Sequence, residues 1–190
     1  MSLAEDANWR QPRLTGERLL LRPLAAEDWD ALFAVAADPL IWELHPAHDR
    51  WREPVFAEFF ANALKFKGAV AVIDRASGSI VGSSRWQGHV ERSWPERSSV
   101  EIGWTYLARS HWGGAYNREL KRLMLAHALR FVERVDFQIG ETNLRSRRAM
   151  EKIGGRLTEH TTEVEMADRT VRHVIYEITR ESFAAGPLAS

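Results

Sequence analysis

Cysteine is absent from the 190 residues. That removes disulfide frameworks, thiolate metal sites and a cysteine nucleophile together. An excess of one charge is lacking too, since 26 Lys+Arg face 26 Asp+Glu. A strong electrostatic nucleic-acid binder needs a basic surplus to neutralise phosphates, so no nucleic-acid partner is expected. No apolar run reaches the roughly 20 residues of a membrane-spanning helix, so no membrane partner is expected. Residues 1–13 lack the apolar centre of a signal peptide, which makes a cytoplasmic protein the default. Walker-type and Gly-x-Gly-x-x-Gly loops are missing, as are repeats and low-complexity tracts. What is present is ordinary for a globular chain: 45% apolar and 27% charged residues, in a length that suits one domain. Eight Trp is a high number. Indole N–H groups want partners, so several Trp are expected to line clefts.

Residues 1–13 read as a disordered N-terminus, 14–180 as the domain and 181–190 as a flexible tail. Residues 18–22 predict a strand stopped by Pro23, and 27–37 a helix with Trp29, Leu32, Phe33 and Ala36 on one face. Residues 40–52 form an aromatic loop, and Pro54 opens a second helix reaching Phe66. The period then changes. Strands are expected at 69–74, 79–88 and 99–107, with a loop at 91–98 holding Trp94-Pro95. A glycine-bearing turn at 109–117 leads to a helix over 116–134, then a strand at 137–139 and a helix over 143–153 ended by Gly154-Gly155. Residues 156–165 and 171–179 pair as a hairpin across Ala167-Asp168-Arg169. The order β-α-α-β-β-β-α-β-α-β-β is that of one α/β domain with a mixed sheet.

The strand-to-helix junction at 107–117 looks suited to an anion. Small residues let backbone N–H groups approach a ligand, and a helix start offers unpaired N–H groups with a positive dipole end. A plain tight turn is the alternative. Arg118, Lys121 and Arg122 load the start of this helix with cations, and Arg145, Arg147 and Arg148 load the next. Cations there oppose the helix dipole, at about 0.3–1 kcal/mol each. An anion between the two starts accounts for them; solvated cations offset by Glu119, Glu141 and Glu151 are the other reading.

At these residues the chain resembles the GNAT superfamily of acyl-CoA N-acyltransferases, and more closely its ribosomal-protein N-terminal acetyltransferase (RimJ/RimL-like) branch. Three stretches carry the resemblance: residues 14–24 with Asp28, residues 101–104 through 112–116, and the run 143–154 with its Asn-x-x-Ser spacing. It implies a GNAT-like α/β domain, with a mixed, mostly antiparallel twisted sheet of about seven strands and about four helices. It further implies acetyl-CoA as cosubstrate, an amine acceptor and no metal, with a homodimer left open. Thr105, Tyr106 and Leu107 would pair with the pantetheine arm. The amides of Gly113, Gly114, Ala115, Tyr116 and Asn117 would hold the pyrophosphate, with His111, Trp112, Arg118 and Arg148 around them. Asn143 would contact pantetheine, and Ser146 would sit near the thiol. Gly usually stands where this chain has Ala115, and a tyrosine acid often stands where it has Met150.

Amine acylation needs a neutral amine, a polarised thioester carbonyl and a protonated leaving thiol. Without cysteine, direct transfer in a ternary complex is favoured. Glu101, just ahead of the pantetheine segment, is the candidate base, with a cross-strand pair to an Arg such as Arg85 as the alternative. Ser146 is the candidate donor, since a thioether at Met150 cannot donate a proton; a helix-capping role for Ser146 is the alternative, and Tyr176 is the reserve donor. His127 lies on an apolar helix face and reads as a core residue, whereas His111 suits phosphate contact, base or solvated loop equally. His45-x-x-His48 lacks a helical zinc pattern, and His45 with Trp42 and Trp51 reads instead as a cleft wall or a cap over the sheet. Two functions stand: an acetyl-CoA-dependent N-acetyltransferase, and a non-catalytic acyl-CoA-binding sensory module.

Overall fold

The computed structural model describes residues 9–93, 97–165 and 169–189. Its elements are β1 (Leu14–Thr15), β2 (Leu19–Pro23), α1 (Trp29–Ala36), α2 (Glu53–Phe66), β3 (Ala69–Asp74), β4 (Ile80–Ser93), β5 (Arg97–Leu107), α3 (Ala115–Ala128), β6 (Arg134–Gly140), α4 (Leu144–Lys152), β7 (Arg156–Glu165), β8 (Thr170–Thr179) and α5 (Arg180–Ala184). The eight strands form one sheet in the order β1-β2-β3-β4-β5-β6-β8-β7. Among the described pairs only β5–β6 is parallel. The α/β domain with a mixed, mostly antiparallel sheet is therefore observed, with β1 and α5 added to the expected elements.

Both faces of the sheet are covered. Val70 and Val72 of β3 point into the larger core, shared with Leu120, Met124 and Leu125 of α3 and Met150 of α4. Ala69 and Ala71 point into the smaller core, shared with Leu32 of α1 and Phe56 and Phe60 of α2. Burial on both faces explains why β3 reads as a continuous apolar run.

Three boundaries differ from expectation. α3 stops at Ala128, well before residue 134. Phe131 and Val132 donate their N–H groups to the Ala128 carbonyl, and Glu133 N–H reaches Ser98 O, so the chain turns into β6. The β4–β5 hairpin is tighter than a loop at 91–98, because β4 runs to Ser93 and β5 starts at Arg97; Trp94-Pro95 lies outside the described residues, as do Ala167 and Asp168. Trp9 stacks on Phe131 with centroids 5.0 Å apart, and Leu188 is 2% exposed in the larger core. These two lie in the stretches read as a disordered start and a flexible tail.

Tryptophan is split between the two expected settings. Trp86 is wholly buried, whereas Trp42 and Trp112 line the large cavity described below.

Candidate active site

β5 and β6 pair only at Ser99↔Arg134, Val100↔Val135 and Glu101↔Asp136. Past that point β5 continues to Leu107 and β6 to Gly140 without meeting, so the two strands form a fork with Glu101 at its apex. A bulge in β5 accompanies it. Opposite β4, Ser83 pairs Tyr106 but Arg85 pairs Gly103, which leaves one extra residue on β5. Trp104 takes up the irregularity at φ 53°, a left-handed conformation rare for a bulky residue.

A cavity of about 1100 Å³ opens beyond the fork, between the starts of α3 and α4. Every residue expected to meet the cofactor lines it except Tyr116, that is Thr105, Tyr106, Leu107, His111, Trp112, Gly113, Gly114, Ala115, Asn117, Arg118, Asn143 and Arg148. Tyr116 instead packs partly into the larger core, its ring 4.5 Å from that of His111. Gly113 holds φ 83°, which glycine adopts without strain. Gly114 is the N-cap of α3 and supplies no side-chain cap, so the first-turn amides face the cavity mouth without a capping oxygen. A Cβ on Gly114 would meet nothing within 4 Å. Bare amides, a dipole end and the cations Arg118, Arg145, Arg148 and Lys152 on the walls together fit a pyrophosphate.

The α4 start is finished differently. Asn143 is its N-cap, and its Oδ1 accepts the N–H of Ser146 at 3.2 Å. Ser146 thus gives only its backbone to the cap, while the residue lines the cavity. The helix ends on Gly154 at φ 91°, with Gly155 N–H on Met150 O and Gly154 N–H on Glu151 O. Met150 is buried at 5% exposure. Tyr176 is fully buried, its hydroxyl donating to Glu151 Oε1 at 2.9 Å and accepting from Arg147 Nε at 3.2 Å. It does not line the cavity.

Not all the cations expected around an anion go there. Arg147 is taken by Tyr176 and the Glu141 carbonyl. Lys121 is buried, with Nζ 2.7 Å from Thr105 Oγ1 and 5.5 Å from the centroid of Phe137, so it spans the fork on the α3 side. Burial pulls its amine down to about 7. Glu119 is not a solvated counter-charge either: it is buried, and its Oε1 accepts the N–H groups of Arg18 and Leu19.

On the opposite face, Gln138 Nε2 donates to Glu101 Oε2 at 2.9 Å and spans the fork a second time. Burial, reinforced by nearby Asp136, pushes the Glu101 carboxyl up to about 7. Asp136 itself is held by Arg134 at 2.8 Å. Arg85 makes no ion pair with Glu101. It sits opposite Gly103, donates to Gln87 Oε1 at 2.8 Å, and lies over the Trp104 ring at 4.6 Å. The loop at 40–52 brings in Arg50, 4.5 Å from the Phe59 ring centroid, and His45, whose pKa burial lowers to about 3. Trp42 and His45 line the cavity. Trp51, read with them as a wall, is exposed and lies outside that lining. His127 Nε2 donates to the Trp9 carbonyl, 2.6 Å away, among Trp9, Trp86 and Phe131 rings.

The family model for the acetyltransferase (GNAT) domain matches residues 18–156. Among solved structures, a GCN5-related N-acetyltransferase from Brucella melitensis superposes with TM-score 0.73 at 23% identity, covering 92% of this chain and 81% of that one. A GNAT-family acetyltransferase from Bacillus anthracis gives TM-score 0.69 at 20% identity, with 90% and 99% covered. RimJ from Mycobacterium smegmatis, in complex with CoA-disulfide, gives 0.66 at 18% identity, with 90% and 86% covered. None of the curated proteins compared with the chain matches it. No described helix is long and apolar enough to cross a membrane. With the family domain spanning the forked strands and both helix starts, the chain belongs to the GNAT acetyltransferases, enzymes that draw an acetyl group from acetyl-CoA.

Proposed function

We propose that the chain moves the acetyl group of acetyl-CoA to a primary amine by direct attack within a ternary complex. The acceptor is a protein or peptide N-terminus or a small amine, in the manner of the RimJ/RimL-like branch. The observation that carries this is Glu101 at the fork apex, with its carboxyl raised to about 7. A base with that pKa is ionised enough near neutrality to take a proton and basic enough to hold it. The amine nitrogen forms the bond to the thioester carbonyl carbon, and the C–S bond breaks. The amine proton passes to Glu101, directly or through water, and the thiolate is stabilised by the Ser146 hydroxyl and protonated from solvent. The cavity walls hold the cofactor: amides at Gly113, Gly114 and Ala115 toward the pyrophosphate, Thr105 and Leu107 along the arm.

An acetylation assay over amines and peptides, run beside a thermal-shift titration with CoA, tests this reading. Turnover of any primary amine that is lost in Glu101→Gln is expected. CoA binding with no turnover of any amine would instead favour the sensory module.

A further inference from the structure

Arg85 is 3% exposed, and its Nε has no hydrogen-bond partner. Among the described residues its one side-chain hydrogen bond goes to a neutral amide, Gln87 Oε1. Arg50 is partly buried and likewise has no ion pair within 4 Å; its Nη1 lies 3.5 Å from His45 Nε2. Both guanidinium groups lie against one ring, Phe59, at 4.5 Å for Arg50 and 5.5 Å for Arg85. Arg85 is close enough to weaken Arg50's hold on its proton: Arg50 is brought down to about 10 by burial, then by Arg85. Two repelling cations on one ring, withdrawn from water, are costly unless something negative joins them.

The neighbouring carboxylates offset that cost only in part: Glu101 acts on Arg85 and Asp49 on Arg50, neither as an ion pair within 4 Å, and burial outweighs both. Asp136 is engaged by Arg134. Asp49 adjoins Arg50 in sequence without forming an ion pair. Glu101 makes its hydrogen bond to Gln138. The rings of Phe59, Trp104 and Trp42 flank the arginines, and Trp42 also lines the cofactor cavity. The pair thus reaches from Glu101 at the fork apex, whose charge acts on Arg85, to Trp42 of the cavity wall, 5.6 Å from Arg50, with neither arginine nor Glu101 itself among the residues that line the cavity.

We infer that the acceptor is an anionic amine: a primary amine whose own short skeleton carries a carboxylate, held by Arg50 and Arg85 while the amine faces Glu101. This rests on the reading of Glu101 as the base. A planar, weakly hydrated guanidinium suits a carboxylate in such a place, since two parallel N–H donors match its two oxygens. The carboxylate could belong to a free amino acid or to an acidic residue beside a peptide N-terminus.

The test pairs amines that differ in that charge, with rates compared per concentration of neutral amine because a carboxylate raises the pKa of an adjacent amine: glycine against glycinamide, and an Ala-Asp dipeptide amide against its Ala-Asn counterpart. Acetylation is measured for the parent, Arg50→Gln, Arg85→Gln and Arg85→Lys, the last keeping the charge while losing the planar fork. The anionic member of at least one pair is expected to be preferred by about tenfold or more, chiefly through KM. That preference should collapse in both Gln variants, while the thermal shift with acetyl-CoA persists. Which pair discriminates tells free amino acid from peptide. Equal use of charged and neutral members by the parent overturns the inference. A second measurement does not depend on turnover. In the 15N-labelled CoA complex, the Nε–Hε resonance of Arg85 should shift saturably on adding succinate. No shift overturns the inference, whereas a shift without turnover of any amine supports it and counts against Glu101 as base.

Discussion

On the cavity side of the β5–β6 fork, uncapped backbone amides at the start of α3 and cations form the wall. On the other side stand side chains of both signs withdrawn from water, Glu101 against Arg50 and Arg85. The first arrangement costs the empty protein little, because amides and surface cations are solvated until the ligand arrives. The second is expensive to hold without a ligand, because each buried charge has lost water and gained little in return. One cation crosses the divide: Lys121 lies on the cavity side but is as buried as anything opposite. Ligand-binding strength and folding stability should therefore respond to different residues.

The most complete loss is expected at Gly114. Acetyl-CoA at about a hundredfold over its dissociation constant adds roughly 2.7 kcal/mol of stability, read as a thermal shift. Gly114→Asp should abolish that shift by placing a carboxylate where the pyrophosphate goes. The melting temperature of the empty protein should hardly move, because the added Cβ meets no atom within 4 Å. A fall in that baseline would show the cavity side to be under tension after all.

Next comes Glu101→Gln, for which kcat/KM should fall by roughly 10²–10⁴ while the CoA shift persists. In the parent, kcat/KM should rise with pH through about 7 as Glu101 loses its proton. A rising limb retained in the variant would move the role of base elsewhere. Ser146→Ala should follow, with kcat lower by roughly 10²–10³ if the hydroxyl meets the thiolate. Its melting temperature should hold, since alanine keeps the N–H that Asn143 caps. Asn143→Ala should instead cost about 1 kcal/mol of stability. If Tyr176→Phe harmed turnover more than Ser146→Ala, the comparison would have to be redrawn around the larger core.

The remaining effects are on stability against pH, and they have opposite signs across the fork. Lys121 keeps its proton less well when folded, about 7 against 10.5 unfolded. The unfolded chain then binds more protons between those values, so stability rises with pH over that window. Lys121→Met should stabilise the protein below about pH 7 and make little difference above 10.5. Glu101 holds its proton better when folded, about 7 against 4.5. Stability then falls as pH rises from 4.5 to 7, and Glu101→Gln should stabilise only above that range. Urea unfolding at pH 5, 7 and 10 would check both.

The cavity lining was legible because it is local and carries the family resemblance. Residues 105–118 and 143–153 are two continuous stretches, and the lining draws on both. The group on the other side comes from β4, β5, α2 and the 40–52 loop, and no period in the chain joins Arg50, Phe59, Arg85 and Trp104. Arg85 could be weighed only as a partner for Glu101, because strand register depends on a bulge that sequence does not display. Lys121 left a usable signal: it stands four and seven residues before Leu125 and Ala128, on the buried face of α3. Its charge suggested solvent and its position suggested the core, and position prevailed.

The bulge at Trp104 also fixes parity along β5. Before it, even-numbered Val100 and Ile102 enter the larger core; after it, odd-numbered Leu107 does, and even-numbered Tyr106 enters the smaller one. The strand changes its numbering convention in mid-course, like a sentence that shifts by one letter and still reads. Deleting Trp104 would restore strict alternation and leave Thr105, Tyr106 and Leu107 on the faces they now occupy. Straightening the strand with Trp104 kept would exchange those faces, taking Thr105 from Lys121 and turning Tyr106 toward α3. A single extra residue thus allows one strand to hold Glu101 against Gln138 on one face and Thr105 against Lys121 on the other.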